Sequence, residues 1–171
     1  REFKFFGKEF FMKKLFSVLA VLFVMGTANV FSLGIGAQGG YTVGGGAGGA
    51  LTLKVDSLPC VFAIDLGSIN PLSLGVTADY WLANPKIEGP FGYFYGIGLG
   101  GSISGLGSDF MSIGIAGRVY VGLNAFLVDR FIELYLQAAW QPTFWIALGE
   151  GANAGFVFNS FPMNLGIRFW F

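Results

Sequence analysis

The chain has 171 residues, of which 54% are apolar, 18% aromatic and 12% charged, and Gly occurs 28 times; an ordinary soluble domain carries roughly 25% charge and roughly 7% Gly. Ten basic residues balance ten acidic ones and His is absent, so no excess positive field attracts a nucleic-acid backbone and the side chain that titrates near neutrality and most often ligates metals is missing. The lone Cys60 allows no internal disulfide and no cysteine metal cluster. Nucleic-acid binding, zinc chemistry and the usual nucleophile-and-base catalysis all lose their usual residues.

Residues 1–11 precede Met12 and read as an upstream extension or an over-extended start. Met12, Lys13 and Lys14, followed by the apolar run Leu15 to Met25 with Ser17 as its one polar residue, form the basic and apolar regions of a secretory signal. The run is too short for the roughly 20 residues that a spanning helix needs. Small residues place the cut after Ala28 or after Ser32; the second sets the expected domains as 1–11 extension, 12–32 signal peptide and 33–171 exported barrel. No Cys follows the apolar run closely enough to mark a lipoprotein. Five of the ten basic and two of the ten acidic residues precede Leu33, so the remainder carries five positive and eight negative charges, one mildly acidic domain's worth of chain.

From Leu33 onward the apolar residues recur with a period of two, the mark of strands with unlike faces. The first segment sets Ile35, Ala37, Tyr41 and Val43 against Gly34, Gly36, Gln38, Gly40 and Thr42. The second opposes Leu51, Leu53 and Val55 to Thr52, Lys54 and Asp56, and the third opposes Cys60, Phe62, Ile64 and Leu66 to Val61, Ala63, Asp65 and Gly67. The fourth sets Leu74, Val76, Ala78, Tyr80 and Leu82 against Gly75, Thr77, Asp79 and Trp81. In the fifth, Phe91 to Ile103 alternate with Gly92, Phe94, Gly96, Gly98, Gly100 and Ser102; in the sixth, Ile113 to Leu123 alternate with Gly114, Ala116, Arg118, Tyr120 and Gly122. The seventh has Ile132, Leu134, Leu136, Ala138, Trp140 and Phe144 against Glu133, Tyr135, Gln137, Ala139, Gln141 and Thr143, with Pro142 at a point where a separate element over Thr143 to Leu148 also fits. The eighth sets Met163, Leu165, Ile167, Phe169 and Phe171 against Asn164, Gly166, Arg168 and Trp170.

One face is almost wholly apolar. The other is Gly, Ser and Ala with occasional charges, a composition suited to a cramped interior rather than a solvated surface. An open edge in hydrocarbon leaves backbone groups unpaired, so spanning strands close, and eight of them enclose a lumen that side chains can fill. The expected fold is therefore all-β: a closed antiparallel transmembrane barrel of about eight strands. Spanning helices are disfavoured because Leu33–Leu53 and Gly89–Ser108 hold nine and eight Gly, each costing a helix about 0.5–1 kcal/mol relative to Ala.

Three GxGxxG matches, beginning at Gly34, Gly44 and Gly96, precede no helical periodicity and so lack the strand-to-helix context of a dinucleotide site. The polar face instead concentrates Lys54, Arg118 and Arg168 with Asp56, Asp65, Asp79 and Glu133. Unpaired charges in a narrow barrel are costly, so an ion network across the lumen is expected, joined by Gln137, Tyr135 and Tyr120. Tyr41, Tyr80, Phe91, Tyr93, Trp140, Phe144 and Phe169 read as aromatic girdles. No enzymatic activity, cofactor or metal is expected.

Met163, Leu165, Ile167, Phe169 and Phe171 resemble the closing strand of bacterial outer-membrane barrels, whose last residue is characteristically Phe; the resemblance implies recognition of these residues by the barrel-assembly machinery. Leu33 to Phe171 as a whole is similar to small eight-stranded barrels of the outer-membrane protein A transmembrane-domain type. That likeness implies a monomer in the bacterial outer membrane, with lipid as its surroundings and a structural or permeability role. It also implies that the connections after the first, third, fifth and seventh strands face outward from the cell, the last being the longest, at 147–162. No periplasmic domain is appended, so peptidoglycan tethering is not expected. Three alternatives stand beside this reading: a channel or carrier for small apolar molecules near Trp81, Phe94 or Trp170; an adhesin acting through residues 147–162; and a soluble calyx barrel holding a lipid.

Overall fold

The computed structural model describes residues 32–43, 45–69, 71–106, 111–149 and 152–171; the expected extension and nearly all of the expected signal peptide, together with Glu150 of the 147–162 connection, lie outside the described residues. Those residues form ten strands and no helix: β1 (Leu33–Val43), β2 (Gly46–Val55), β3 (Cys60–Ile69), β4 (Leu72–Ala83), β5 (Phe91–Leu106), β6 (Met111–Leu127), β7 (Ile132–Trp140), β8 (Thr143–Leu148), β9 (Ala154–Val157) and β10 (Phe161–Trp170). Gly-rich stretches that would weaken a helix are accepted here because antiparallel neighbours supply the backbone partners. β1 through β6 pair consecutively.

The seventh stave is built in two pieces. β6 carries β8 opposite Met111–Ala116 and β7 opposite Val119–Leu127 on the same edge, with Ala116 facing Thr143 and Val119 facing Trp140 in one unbroken register. The gap falls at Gln141 and Pro142, because Pro has no N–H to give the ladder; the Gly117 N–H still donates to the Pro142 carbonyl at 3.2 Å. The separate element over Thr143–Leu148 thus exists, and it continues a stave rather than adding one. β9, paired with β8, leads likewise into β10, and the Gln141 N–H donates to the Ser160 carbonyl at 2.9 Å where the two join.

β10 closes the ring by pairing with β7 and with β1, Gly34 opposite Trp170 through Val43 opposite Phe161. Leu33 and Phe171 exchange reciprocal backbone hydrogen bonds of 3.0 and 2.9 Å. The result is a closed antiparallel barrel of eight staves. Followed from partner to partner, the register returns to β1 displaced by about ten residues, the stagger that tilted strands need for closure.

Side chains sort by the alternation. All six charged residues of the strands, Lys54, Asp65, Asp79, Arg118, Glu133 and Arg168, sit on the inward phase, and apolar residues such as Leu99 (68% exposed) and Leu165 (65%) point out. Tyr41, Tyr80, Phe91, Tyr93, Phe144 and Phe169 are on this outer face and exposed. Trp140 is half-buried, its indole N–H donating to the Phe158 carbonyl at 2.9 Å. Both termini of the barrel, the β2–β3 turn, the β4–β5 connection and the β6–β7 turn lie at one end, the terminal end. That end holds every described charge outside the strands: Asp56, Lys86, Glu88, Asp129 and Arg130. The β6–β7 turn runs through three consecutive left-handed residues, Val128, Asp129 and Arg130, with φ of 50°, 51° and 72°.

Candidate functional site

The polar side chains with a chemistry to offer line the lumen, which the sequence divides into two unlike halves. Toward the terminal end the inward positions are bulky. Trp81 stacks on Phe94 with centroids 4.2 Å apart and planes 2° from parallel, and Phe94 tilts against Tyr120 at 6.2 Å. These rings are seated over glycines of neighbouring strands: a Cβ on Gly122 would strike Phe94, and one on Gly166 would strike Tyr135. Small residues thus alternate with large ones across strand pairs, and the lumen fills.

Within this filling lies a buried ion pair. Arg168 Nη1 reaches Glu133 Oε2 at 2.6 Å, and the same oxygen accepts from the Trp170 indole at 3.0 Å while Oε1 accepts from Asn124 Nδ2 at 3.1 Å. Arg168 also lies over the Tyr135 ring at 4.5 Å. Register explains the meeting: Arg168 stands directly opposite Glu133 in the β10–β7 ladder. Lys54 joins this group without a direct ion pair to a carboxylate among the described residues. Its ammonium is held 3.6 Å from the Trp81 ring centroid and 5.3 Å from that of Trp170, a cation–π arrangement that gains strength where water is excluded.

A second pair sits at mid-height. Arg118 bonds Asp79 through Nε–Oδ1 at 2.8 Å and Nη2–Oδ2 at 3.2 Å, the bidentate form that guanidinium and carboxylate favour. Gln137 donates to Asp79 Oδ2 at 3.3 Å, and Arg118 Nη1 donates to Gln141 Oε1. These strands are not neighbours in the way those of Arg168 and Glu133 are; the pair bridges β6 and β4 across β5, over Gly98, which leaves room for it.

Beyond Arg118 most inward positions are small, Trp145 on β8 excepted. Gly40, Gly48, Ala50, Gly75, Gly100, Ser102, Gly114 and Ala116 line a cavity of about 560 Å³ that continues to the β1–β2 and β3–β4 hairpins, away from the terminal end. Among the described residues its lining holds two charged side chains, Arg118 and Asp65. Ser73 and Ser104 share a hydrogen bond of 2.8 Å within it. A smaller cavity of about 220 Å³ lies at the terminal end, among Asn84, Lys86, Gly92, Asn124, Phe126 and Arg130.

Six of the seven charges expected in the lumen are there. Asp56 is not: β2 ends at Val55, and Asp56 falls on the exposed β2–β3 turn, whose backbone is turned by the Leu58 N–H bonding to the Val55 carbonyl at 3.0 Å. The single network expected across the lumen is instead two clusters, Lys54–Arg168–Glu133 and Arg118–Asp79, with Asp65 near the second but bonded to neither among the described residues. Gln137 and Tyr135 take part, the latter donating to Gln38 Oε1 at 3.0 Å, whereas the buried Tyr120 hydroxyl has no hydrogen-bond partner among the described residues. Asn124, Gln141 and Trp170 belong to the clusters although nothing in the sequence marks them as members; their inward phase is the one available signal. The closing residues Met163, Leu165, Ile167, Phe169 and Phe171 form the outward row of β10 and its end.

No family model matches this chain, and no curated protein or solved structure shows significant similarity to it.

Proposed function

We propose that the protein is a bacterial outer-membrane barrel of the small eight-stranded type, exported by a cleaved signal peptide, assembled through its closing strand, monomeric, without enzymatic activity, and serving as a structural or permeability component. One observation carries the reading: charge within the strands is confined to the inside of a closed ring, while its outside is a continuous apolar surface broken only by Gly and aromatic rings. That polarity is the inverse of a water-soluble domain and matches what hydrocarbon demands of a spanning barrel. A calyx for lipid needs an apolar interior, whereas this interior holds two ion pairs and a Gly- and Ser-lined cavity. The rings at which an apolar cargo is expected, Trp81, Phe94 and Trp170, are each engaged with other side chains. The packed half of the lumen opposes a through-channel for ions on steric grounds.

The test is extraction from the cell envelope combined with electrophoresis and planar-bilayer recording. The protein should stay with the envelope through carbonate washing, migrate faster before boiling than after, and give no stepwise conductance. Release by carbonate, or appearance in the periplasmic fluid, overturns membrane residence; steady single-channel steps overturn the closed lumen.

A further inference from the structure

The strand charges inside the barrel cancel overall but not locally. Toward the terminal end, Lys54 and Arg168 face Glu133, an excess of one positive charge; farther up, Asp65 and Asp79 face Arg118, an excess of one negative charge. Arg118 commits both edges of its guanidinium, to Asp79 and to Gln141. The Asp65 carboxylate is left without a hydrogen bond or ion pair among the described residues, half-buried, on the wall of the 560 Å³ cavity. Its neighbours across the ladders are Ala50 on β2 and Gly75 on β4, too small to cover it. Among the described residues no Lys or Arg other than Arg118 lines the cavity.

Arg118, the cation facing Asp65, is bonded to Asp79 and Gln141, so the partly desolvated Asp65 carboxylate is incompletely neutralised, which is costly, and the space that a second cation would fill is present beside it. We infer that this cavity is a blind cup that binds a small organic cation, a protonated amine carrying hydroxyl groups, with its ammonium on Asp65. The volume falls within the range of small-molecule sites. Hydroxyls of Ser73, Ser102, Ser104 and Thr77 and the Gln38 amide surround the same space and supply donors and acceptors for hydroxyls on the ligand. A divalent metal ion is a poorer occupant, since it takes six or more oxygens, usually from several carboxylates, and no group of three or more acidic, His or Cys residues that could hold one occurs among the described residues. Arg118 and Gln141 line the cavity, and the bonds of Arg118 to Asp79, with Gln137 on the same carboxylate, close the space behind them, so the occupant sits in a dead end.

The inference does not rest on membrane residence. It is tested on the full chain refolded in detergent micelles, by NMR titration of backbone amides with ethanolammonium chloride, and with ethylene glycol and potassium chloride as neutral and inorganic counterparts. Ethanolammonium should shift the amides of Gly75, Gly101 and Gly114 saturably, and Asp65→Asn, which keeps the shape and removes the charge, should weaken binding at least tenfold. Equal binding to Asp65→Asn, saturation by ethylene glycol or potassium at the same concentration, or no saturable shift of these amides each overturn the cup. Should Asp65→Asn fail to fold, the comparison of the three probes on the parent protein decides. A soluble barrel that binds ethanolammonium would leave the cup standing and remove the membrane; an envelope-bound barrel that does not would do the reverse.

Discussion

Gly122 stands opposite Phe94 in the β5–β6 ladder, and a Cβ on it would lie 2.6 Å from Phe94 Cε2 and closer still to Cζ. Gly100 is in the same pair of strands, yet a Cβ there meets nothing nearer than Ala116 Cβ and Thr77 Cγ2 at 3.6 Å. Two glycines of one hairpin therefore have opposite duties: one is a seat for a ring, the other leaves volume. Gly122→Ala should destabilise the barrel by about 1–3 kcal/mol through overpacking, and Gly100→Ala should change stability by less than about 0.5 kcal/mol. Urea unfolding of the refolded protein followed by tryptophan fluorescence measures both, and equal effects would contradict the packed-half and cup division. The ion pairs allow a sharper comparison. Arg118→Ala strands the buried Asp79 carboxylate and should cost about 3–5 kcal/mol, whereas the double variant with Asp79→Asn should recover a substantial part of that loss, because a buried unpaired charge costs more than a buried neutral amide.

At the scale of the strand, Pro142 interrupts the β6 partner without shifting it. The Gly117 N–H bonds to the Pro142 carbonyl, and the reciprocal bond has no donor. Pro142→Val supplies that donor and an outward apolar side chain, so a gain of up to about 1 kcal/mol is expected, read as a rise in the urea midpoint; a fall would mean that the constrained φ of proline outweighs the added bond. Alternation of apolar and small residues is a local property, and for that reason the eight staves and their faces are legible along the chain, including the phase that Gln141 and Thr143 keep across Pro142. The β9 extension is not, because its four residues, Ala154 to Val157, are too few to show a period. Asp56 is misplaced when that alternation is carried one residue past Val55, where Ser57, Leu58 and Pro59 already turn the chain. Which charge meets which lies beyond local reading altogether. Arg168 meets Glu133 through a ladder between residues 35 positions apart, and Arg118 meets Asp79 across an intervening strand; both depend on the stagger of the whole ring. The alternation likewise gives no sign that Lys54 settles on Trp81 rather than on an acid.

For the molecule as a whole, the proposal that the outer face meets hydrocarbon has a depth-dependent signature. Leu99 lies in the middle of β5 and is 68% exposed on that face. Leu99→Arg should cost about 2–4 kcal/mol when the barrel is folded into lipid vesicles, while Asp56→Arg, on a turn at the terminal end, should be within about 0.5 kcal/mol of neutral. A harmless Leu99→Arg would be the behaviour of a water-facing sheet. The reciprocal bonds between Leu33 and Phe171 have a consequence of their own. Since the first and last staves are ordinary neighbours, a short peptide bridging them would make the ring endless, and new ends could be cut at the Gly45 turn. Such a rearranged chain should reach the same barrel, because the circle has no inherent starting point and only the order of synthesis decides which pair of staves must find each other from opposite ends of the polymer.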